Sequence, residues 1–324
     1  MKRPLIVLTG PTAVGKTKLS IGLAKAVGGE IISADSMQVY KSMDIGSAKI
    51  RPSEMEGVPH YLIDVLEPDE EFHIVKFQKM AKDVMEKIYA NGHIPILVGG
   101  TGFYIQAIVR DIDFTENEEN TKIRAKWETY AKNFGAERLH EELRKVDEKS
   151  AEAIPAANIK RVVRALEFYE LSGKKISEHN EEQKAKESPY NFVYFVLNDH
   201  RELLYERIEK RIDEMLKEGL VDEVRGLKER GFTREMVSMQ GLGYKEILDY
   251  LDGRLTLEEA VSVLKRDTRH FAKRQLTWFR REPVVTWVPK YEYDYDNEKI
   301  LAAMLAVLKN KGITGEKNGN GKDV

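Results

Sequence analysis

The sequence predicts an α/β fold in which a parallel sheet core is flanked by helices and interrupted by a mostly helical insertion. Short apolar runs at 4–9, 94–98 and 190–197 suit parallel strands that are buried on both faces. Segments with helical spacing lie between these runs. The stretch from about 114 is different, because it is rich in Glu, Lys and Arg and contains no strand-like run.

These patterns divide the chain into a core and an insertion. We expect the core at 1–113 and 187–310, with basic helices towards its C-terminal end. The helical insertion is expected at 114–186, where Ile123, Trp127 and Tyr130 recur at helical spacing. Residues 311–324 are rich in Gly, Lys and Asn, which is typical of a flexible tail.

The remaining core elements follow in chain order. Shorter strands are expected at 31–32 and 58–65, and the aromatic run at 190–197 is expected to complete the parallel sheet. Helical spacing predicts helices at 18–28, 72–91 and 256–281, and one long helix or a pair of helices at 202–230. Gly241 and Gly243 interrupt the helices between the last two of these segments.

Composition limits the classes of function. The 324 residues are 42% hydrophobic and 33% charged with a formal net charge of −2, so any contact with nucleic acid must be local. The absence of cysteine excludes disulfides, thiolate zinc sites and cysteine nucleophiles, and it fits a reducing compartment. No signal peptide and no run of about 18 apolar residues is present, so we expect a cytoplasmic protein without a membrane partner.

Residues 10–17 carry the sharpest motif, Gly-Pro-Thr-Ala-Val-Gly-Lys-Thr. This phosphate-loop pattern lies between a predicted strand and a predicted helix, so the core is expected to resemble P-loop NTPases. Its backbone N–H groups and the helix N-terminus would hold phosphate oxygens, Lys16 would add positive charge, and the Thr17 hydroxyl would bind Mg²⁺. A glycine-rich turn without a ligand is the alternative. The expected ligand-binding residues are Gly10, Pro11, Thr12, Ala13, Val14, Gly15, Lys16 and Thr17.

Polar residues follow two further predicted strands. Asp35, Ser36 and Gln38 come after the strand at 31–32, and Thr101 lies in the glycine-rich turn after the strand at 94–98. Because ligands bind at the carboxyl ends of parallel strands, we expect these side chains beside the phosphate loop. Asp35 is then a candidate general base, although an aspartate in a loop is equally often a turn cap. His60 could be catalytic, but a structural histidine is the more common case.

The segment 265–281 carries seven Lys or Arg residues against one acid, Asp267, in a protein of net negative charge. Arg266, Arg269, Lys273 and Arg280 share one helical face, and Trp278 is interleaved. This pattern favours a polyanionic partner such as an RNA backbone. The alternative is a solvated surface helix.

Taken together, the motifs resemble the bacterial tRNA dimethylallyltransferase family. The resemblance rests on six segments in order, which end near Arg281. These are the phosphate loop at 10–17, Ile-Ser-Ala-Asp-Ser-Met-Gln-Val-Tyr at 32–40, Met-Asp-Ile-Gly-Ser-Ala-Lys at 43–49, Val-Gly-Gly-Thr-Gly-Phe-Tyr at 98–104, Arg-Ala-Leu-Glu at 164–167, and Ala-Lys-Arg-Gln-Leu-Thr-Trp at 272–278.

The resemblance implies that dimethylallyl pyrophosphate donates its five-carbon group to N6 of the adenosine 3′ of a tRNA anticodon. It implies Mg²⁺ at Thr17, Asp35 as the general base, and Lys16 and Thr101 as further catalytic residues. It also implies that Arg164 binds pyrophosphate. We further expect a loop of the nucleotide-binding (ATP-binding) type and a monomeric protein. The tRNA-binding residues implied are Asp35, Ser36, Met37, Gln38, Thr101, Arg124, Lys160, Arg161, Arg164, Gln240, Gly241, Gly243, Lys245, Arg269, Lys273, Arg274 and Arg280.

Two positions depart from the family pattern. Relatives often carry an aspartate where Ala157 and Asn158 stand here, and a histidine in place of Tyr61. Some eukaryotic relatives append a zinc finger, for which this chain has no cysteine.

Three other functions fit parts of the pattern. A small-metabolite kinase would use the phosphate loop and Asp35 but leaves the basic helix without a role. A nucleotide-gated RNA-binding protein would use the loop and the basic helix but would leave Asp35 and Thr101 without a role. Prenylation of free adenine nucleotides would not need the insertion.

Overall fold

The computed structural model describes residues 2–114 and 121–314, and the chain divides into two compact units. One unit comprises Met1–Val109 and Pro189–Val324, and the other comprises Arg110–Ser188. The second unit starts four residues before and ends two residues after the expected insertion at 114–186. The expected tail at 311–324 lies outside the described residues from 315 onwards.

The first unit is built on a parallel sheet that contains six strands in the described part of the chain. Their order across the sheet is β3-β2-β4-β1-β5-β6, and every pairing is parallel. The strands are β1 (Arg3–Thr9), β2 (Gly29–Ser33), β3 (His60–Tyr61), β4 (Ile94–Gly99), β5 (Tyr190–Asn198) and β6 (Thr286–Pro289). This arrangement confirms the expected α/β fold.

Two expectations about the sheet were wrong in detail. The strand at 190–197 does not complete the sheet, because β6 pairs outside it in the register Phe195 to Thr286. The sequence of β6 has only four residues and ends at Pro289, so it gives little strand signal. The strand expected at 58–65 is reduced to two residues, His60 and Tyr61, on the other edge.

Helices cover the sheet and form most of the second unit. In the first unit they are α1 (Lys16–Val27), α2 (Ile74–Ala90), α3 (Gly102–Val109), α9 (Arg201–Glu218), α10 (Leu220–Glu229), α11 (Tyr244–Leu251), α12 (Leu257–Phe279) and α13 (Asn297–Asn310). The second unit contains α4 (Thr121–Phe134), α5 (Ala136–Val146), α6 (Glu148–Ala153), α7 (Ile159–Ser172) and α8 (Ile176–Ala185). None of the described helices is long and apolar enough to span a bilayer.

Strand β1 shows why the strand sequences are apolar throughout. Leu5 and Val7 enter the hydrophobic cluster on one face of the sheet, whereas Ile6 and Leu8 enter the cluster on the other face. Successive side chains of a strand point to opposite faces, so a strand covered on both faces needs apolar residues at every position. All four side chains are fully buried.

The second unit has a separate hydrophobic cluster. Leu139 and Leu143 of α5 pack with Val162 and Leu166 of α7 in its centre. The spacing of each pair, four residues along its helix, places both side chains on one face. The unit therefore has a small core of its own.

Candidate active site

The loop between β1 and α1 adopts the conformation that its glycines permit. Gly10 has a φ of 149° and Gly15 a φ of 93°, and a Cβ on Gly10 would lie only 2.6 Å from the carbonyl oxygen of Leu197. Only glycine fits this backbone position. The first turn of α1 begins directly after the loop, so its free N–H groups lie at the same edge of the sheet.

Lys16 folds back over the phosphate loop. Its Nζ donates hydrogen bonds to the carbonyl oxygens of Gly10 at 3.0 Å and Pro11 at 2.9 Å. Burial lowers the pKa of Lys16 to about 8, against the opposing effect of the Asp35 carboxylate. Thr17 is exposed, and its hydroxyl makes no hydrogen bond to any described residue.

Asp35 follows β2 and acts as a turn cap with one of its oxygens. Its Oδ1 accepts from the backbone N–H of Met37 at 2.8 Å and of Gln38 at 3.4 Å. No described group donates to Oδ2. Asp35 can therefore be a turn cap and a general base at the same time, because one oxygen orients the side chain and the other is left to act on a ligand.

The second glycine-rich turn is joined to its neighbours by hydrogen bonds. The Thr9 hydroxyl donates to the carbonyl oxygen of Gly99 at 2.6 Å, and the Thr101 N–H donates to that of Ala34 at 3.3 Å. A Cβ on Gly99 would overlap the Ala34 backbone, so the loops after β2 and β4 lie in close contact. Thr101 is thereby held beside the Asp35 loop.

Gln275 of α12 connects the two glycine-rich loops. Its Oε1 accepts from the Thr12 N–H at 2.9 Å, and its Nε2 donates to the Gly100 carbonyl oxygen at 3.0 Å. Gln275 as a residue is 6% exposed, and a Cβ on Gly100 would collide with Nε2. Gln275 lies in the 272–278 motif, but the sequence alone does not mark it as a site residue, because its burial depends on how α12 packs.

Helix α9 supplies cations that were not among the predicted site residues. Arg207, Lys210 and Arg211 line the cavity beside the phosphate loop. Burial lowers the pKa of Arg211, and the nearby Asp35 carboxylate opposes this effect. Arg207 also donates to the buried carboxylate of Asp199 at 2.6 Å. Charged residues at helical spacing usually indicate a solvated face, so this role was not visible in the sequence.

Two cavities adjoin at the carboxyl edge of the sheet. The phosphate-loop cavity has a volume of about 440 Å³ and is lined by Lys16, Thr17, Gln38 and the α9 cations. The apolar cavity has a volume of about 470 Å³. Its apolar walls come from Met37, Phe72, Tyr104, Ile208, Ile212, Met215, Leu242, Leu264 and Phe271.

Asp35 lines both cavities, as do Thr12, Gly100, Arg211 and Gln275. Several residues predicted to bind RNA line the apolar cavity. These are Ser36, Met37, Thr101, Gln240, Gly241, Gly243, Lys245 and Arg274. An anion on the phosphate loop and a flat apolar group in the second cavity would therefore meet at Asp35.

The basic segment 265–281 is less positive towards solvent than its sequence indicates. Lys265 pairs with Asp213 of α9 at 2.6 Å, and Arg269 pairs with Glu209 of the same helix. Arg266 pairs with its neighbour Asp267 at 2.9 Å. The exposed cations that form no ion pair with any described residue are Lys273, Arg274, Arg280 and Arg281. His270, Thr277 and Trp278 join three of them, Lys273, Arg274 and Arg281, around a groove of about 460 Å³.

Four predicted site residues belong to the second unit. Arg124 and Arg164 both donate to the buried carboxylate of Glu167 at 3.1 Å, and Lys160 and Arg161 are exposed on α7. Glu167 thus holds two of the predicted RNA-binding or pyrophosphate-binding arginines together. Their contacts with pyrophosphate or RNA stay predictions.

His60 and Tyr61 lie outside the linings of both cavities. The ring Nδ1 of His60 is 2.8 Å from the carbonyl oxygen of Val58, and burial lowers the pKa of His60. The Tyr61 hydroxyl donates to the buried Glu30 carboxylate at 2.7 Å. These contacts give both residues a structural role at the β3 edge.

Comparison with known proteins places this site in a family. The model of the family described as IPP transferase matches residues 38–282. The tRNA dimethylallyltransferase of Lachnoclostridium phytofermentans is 60% identical over 311 residues, which cover 96% of this chain and 99% of that protein. The tRNA dimethylallyltransferase of Acetivibrio thermocellus is 48% identical over 309 residues, which cover 95% and 98%.

Solved structures agree with this result. The full-length tRNA isopentenylpyrophosphate transferase from Bacillus halodurans is 43% identical with a TM-score of 0.72, and the match covers 96% of this chain and 98% of that one. A eukaryotic dimethylallyltransferase acting on tRNA is 29% identical with a TM-score of 0.83, and the match covers 98% of this chain and 81% of that one. The chain belongs to the IPP transferase family.

Proposed function

We propose that this protein transfers the dimethylallyl group of dimethylallyl pyrophosphate to N6 of the adenosine 3′ of the anticodon (position 37) in tRNA. Relatives with this activity in their names are 60% and 48% identical over almost the whole chain. The observation that carries the proposal is the position of Asp35, which lines both the phosphate-loop cavity and the apolar cavity. A reaction between a pyrophosphate ester and a base needs these two environments next to each other.

The pyrophosphate group binds on residues 10–17. Lys16 leaves the carbonyl oxygens of Gly10 and Pro11 and pairs with the phosphate oxygens, and Arg211 approaches from α9. These cations stabilise the negative charge that develops on the leaving pyrophosphate as the carbon–oxygen bond breaks. The family resemblance also implies that Arg164 binds this group, and that role stays a prediction.

Mg²⁺ fits the residues at the edge of the loop. The Thr17 hydroxyl is exposed, bonds to no described group and lines the phosphate-loop cavity. The described residues contain no cluster of three acidic or histidine side chains, which suits a metal that keeps several waters and binds mainly through phosphate oxygens. Bound at Thr17, Mg²⁺ would neutralise charge on the leaving group.

Asp35 then accepts the proton that N6 loses. The nitrogen lone pair forms the new bond to the allylic carbon, the carbon–oxygen bond electrons leave with pyrophosphate, and the N6 proton passes to Oδ2 of Asp35. The Met37 N–H holds Oδ1 at 2.8 Å and so fixes the direction of the free oxygen. Phe72, Tyr104 and Phe271 in the walls of the apolar cavity exclude water from the reactive carbon.

The acceptor adenine occupies the apolar cavity. A base can reach it only by leaving the stack of the anticodon loop, because the cavity lies at the carboxyl ends of the strands and is lined by α9 and α12. The exposed Lys273 and Arg274 on α12, and Arg280 directly after the helix, would hold RNA phosphates. A monomeric state, a cytoplasmic location and RNA contacts from the second unit stay predictions.

The test measures transfer of label from dimethylallyl pyrophosphate to an anticodon stem-loop with adenosine at the acceptor position. We expect transfer to the stem-loop, none to its guanosine counterpart, and no reaction with free AMP. Asp35→Asn keeps an oxygen for the Met37 N–H but removes the base, so kcat should fall by about 10²–10⁴. Glu214→Gln changes the other carboxylate beside the phosphate loop and should alter kcat less than threefold.

Three outcomes would contradict the proposal. If Asp35→Asn were as active as the parent protein, Asp35 would not be the general base. Prenylation of AMP in preference to the stem-loop would identify a free-nucleotide enzyme. Release of γ-phosphate from ATP to a small acceptor, without prenyl transfer, would identify a kinase.

A further inference from the structure

Glu223 of α10 binds a run of backbone amides in the loop at 43–49. Its Oε2 accepts from the N–H groups of Asp44 at 2.8 Å and Ile45 at 2.7 Å, and its Oε1 accepts from that of Gly46 at 3.0 Å. Successive N–H groups that converge in this way form a concave site for an anion. Here the site is occupied by the carboxylate of Glu223, which lies 177 residues away from Gly46 in the same chain.

Tyr244 adds a second contact between the same partners. Its hydroxyl donates to Oε1 of Glu223 at 2.8 Å, and its ring packs on Gly46, where a Cβ would lie 2.6 Å from ring carbon Cζ. The side chain of Tyr244 is fully buried. Burial and the neighbouring Glu223 both raise the pKa of the hydroxyl, so it remains a donor at all working pH values.

These contacts join two segments that both line the apolar cavity. Gly46 and Ser47 belong to one segment, and the residues on either side of Tyr244, from Gln240 to Gly243 and Lys245, belong to the other. Met37 also touches the second segment, because a Cβ on Gly241 would lie 2.5 Å from the methyl carbon of Met37. The relative position of the two segments thus depends on a small set of fixed contacts.

Two further hydrogen bonds of the 43–49 loop stay on its own side. The Ser47 hydroxyl donates to the Met43 carbonyl oxygen at 2.5 Å, and Lys49 donates to the Tyr40 carbonyl oxygen at 2.7 Å. They maintain the shape of the loop but reach neither α10 nor α11. Glu223 supplies the charged link between the loop and those helices, and charge-assisted hydrogen bonds are the stronger kind.

We propose that Glu223, together with Tyr244, is a positioning residue that sets the spacing of the apolar cavity and so orients the acceptor base towards Asp35. This inference rests on the proposed function for the identity of the base. Neither residue lines the phosphate-loop cavity, whereas Ser47 and Ala48 of the loop that Glu223 holds line both cavities. Because the pyrophosphate group is held mainly by residues 10–17, the expected signature is a loss that is larger on the RNA side than on the donor side.

Glu223→Gln and Tyr244→Phe test the inference. Glutamine presents an N–H group to one of the amides, so kcat/KM for the stem-loop should fall about tenfold. Tyr244→Phe keeps the ring and loses one hydrogen-bond donor, so kcat/KM for the stem-loop should fall about threefold in this variant. The affinity for inorganic pyrophosphate, measured by calorimetry, should change less than twofold. Asp222→Asn is the matched control, because the Asp222 side chain is 77% exposed and pairs only with Arg225 among the described residues.

Hydrogen exchange gives a readout that needs no substrate. The amides of Asp44, Ile45 and Gly46 should exchange at least tenfold faster in Glu223→Gln than in the parent protein, and at the parent rate in Asp222→Asn. Unchanged exchange of these amides would overturn the inference, as would unchanged RNA kinetics or an equal loss of pyrophosphate affinity. If the parent protein transfers no prenyl group, the proposed function fails, whereas the exchange result still decides whether Glu223 holds the loop.

Discussion

Replacing Gln275 should uncouple the two glycine-rich loops. The amide of Gln275 accepts from Thr12 N–H at 2.9 Å and donates to the Gly100 carbonyl oxygen at 3.0 Å. Gln275→Leu has a similar volume and removes both hydrogen bonds. A backbone group left without a partner costs about 1–3 kcal/mol when it is buried, and less when water can reach it.

The Gly100 carbonyl oxygen accounts for most of this cost, because its bond to Gln275 is buried whereas the Thr12 bond is partly exposed. We therefore expect a total loss of roughly 2–4 kcal/mol. If misplacement of the loops adds about half of this free energy to the activation barrier, kcat/KM for dimethylallyl pyrophosphate falls roughly 5- to 30-fold. The remainder should appear in the free energy of unfolding measured with urea.

Gln275→Glu provides a sharper form of the test. The ionised carboxylate can still accept from Thr12 N–H, but it repels the Gly100 carbonyl oxygen. The protonated acid can donate to that oxygen and so resembles glutamine. Burial disfavours the charged form and raises the pKa of the introduced carboxyl. The activity of this variant relative to the parent protein should therefore rise as the pH falls.

Two results would refute the reasoning. One is a Gln275→Leu variant with parental unfolding free energy and parental donor kinetics. The other is a relative activity of Gln275→Glu that does not change with pH, since the hydrogen bond to Gly100 would then have no part in catalysis.

Two further predictions concern the phosphate loop and its neighbour. Because the pKa of Lys16 is lowered to about 8, its positive charge is lost as the pH rises through 8, and pyrophosphate affinity measured by calorimetry should fall between pH 7 and 9.5. Lys16→Arg should remove this decline, and an equally steep decline in that variant would contradict the assignment. Gly100→Ala should reproduce the kinetic loss of Gln275→Leu within about threefold, because the added methyl group displaces the Gln275 amide. The control Gly226→Ala meets no atom within 4 Å and should leave the kinetics unchanged, whereas a similar loss there would show that the effect is not local.

The sequence was sufficient for the sheet where a strand is a continuous apolar run. Strands β1, β4 and β5 are such runs, since both faces of the sheet are covered. Strand β6 could not be predicted, because its four residues end in Pro289 and it owes its strand structure to pairing with β5. Local composition carries little information about an edge strand that is stabilised by a distant partner.

The same distinction applies to the site. Lys16, Asp35 and Thr101 follow strands, so a parallel sheet brings them to one edge whatever the details of packing. Gln275 and Arg211 reach that edge only because α12 and α9 pack over it. In the sequence they are polar residues on charged helices. The pairing of Lys265 and Arg269 with acids of α9 was hidden for the same reason, and the basic segment seemed more available to RNA than it is.

Helix α12 has one further consequence, for the lengths that this chain can tolerate. It spans 23 residues, with Gln275 buried against the loops and the neighbouring Lys273 and Arg274 exposed to solvent. A single inserted or deleted residue before them would turn all three by about 100° around the helix axis. An insertion of about seven residues would restore the angle but shift the helix by roughly 10 Å. Point substitutions can therefore change this helix one face at a time, whereas insertions and deletions between Thr256 and Gln275 would disrupt the loop contacts and the exposed cations together.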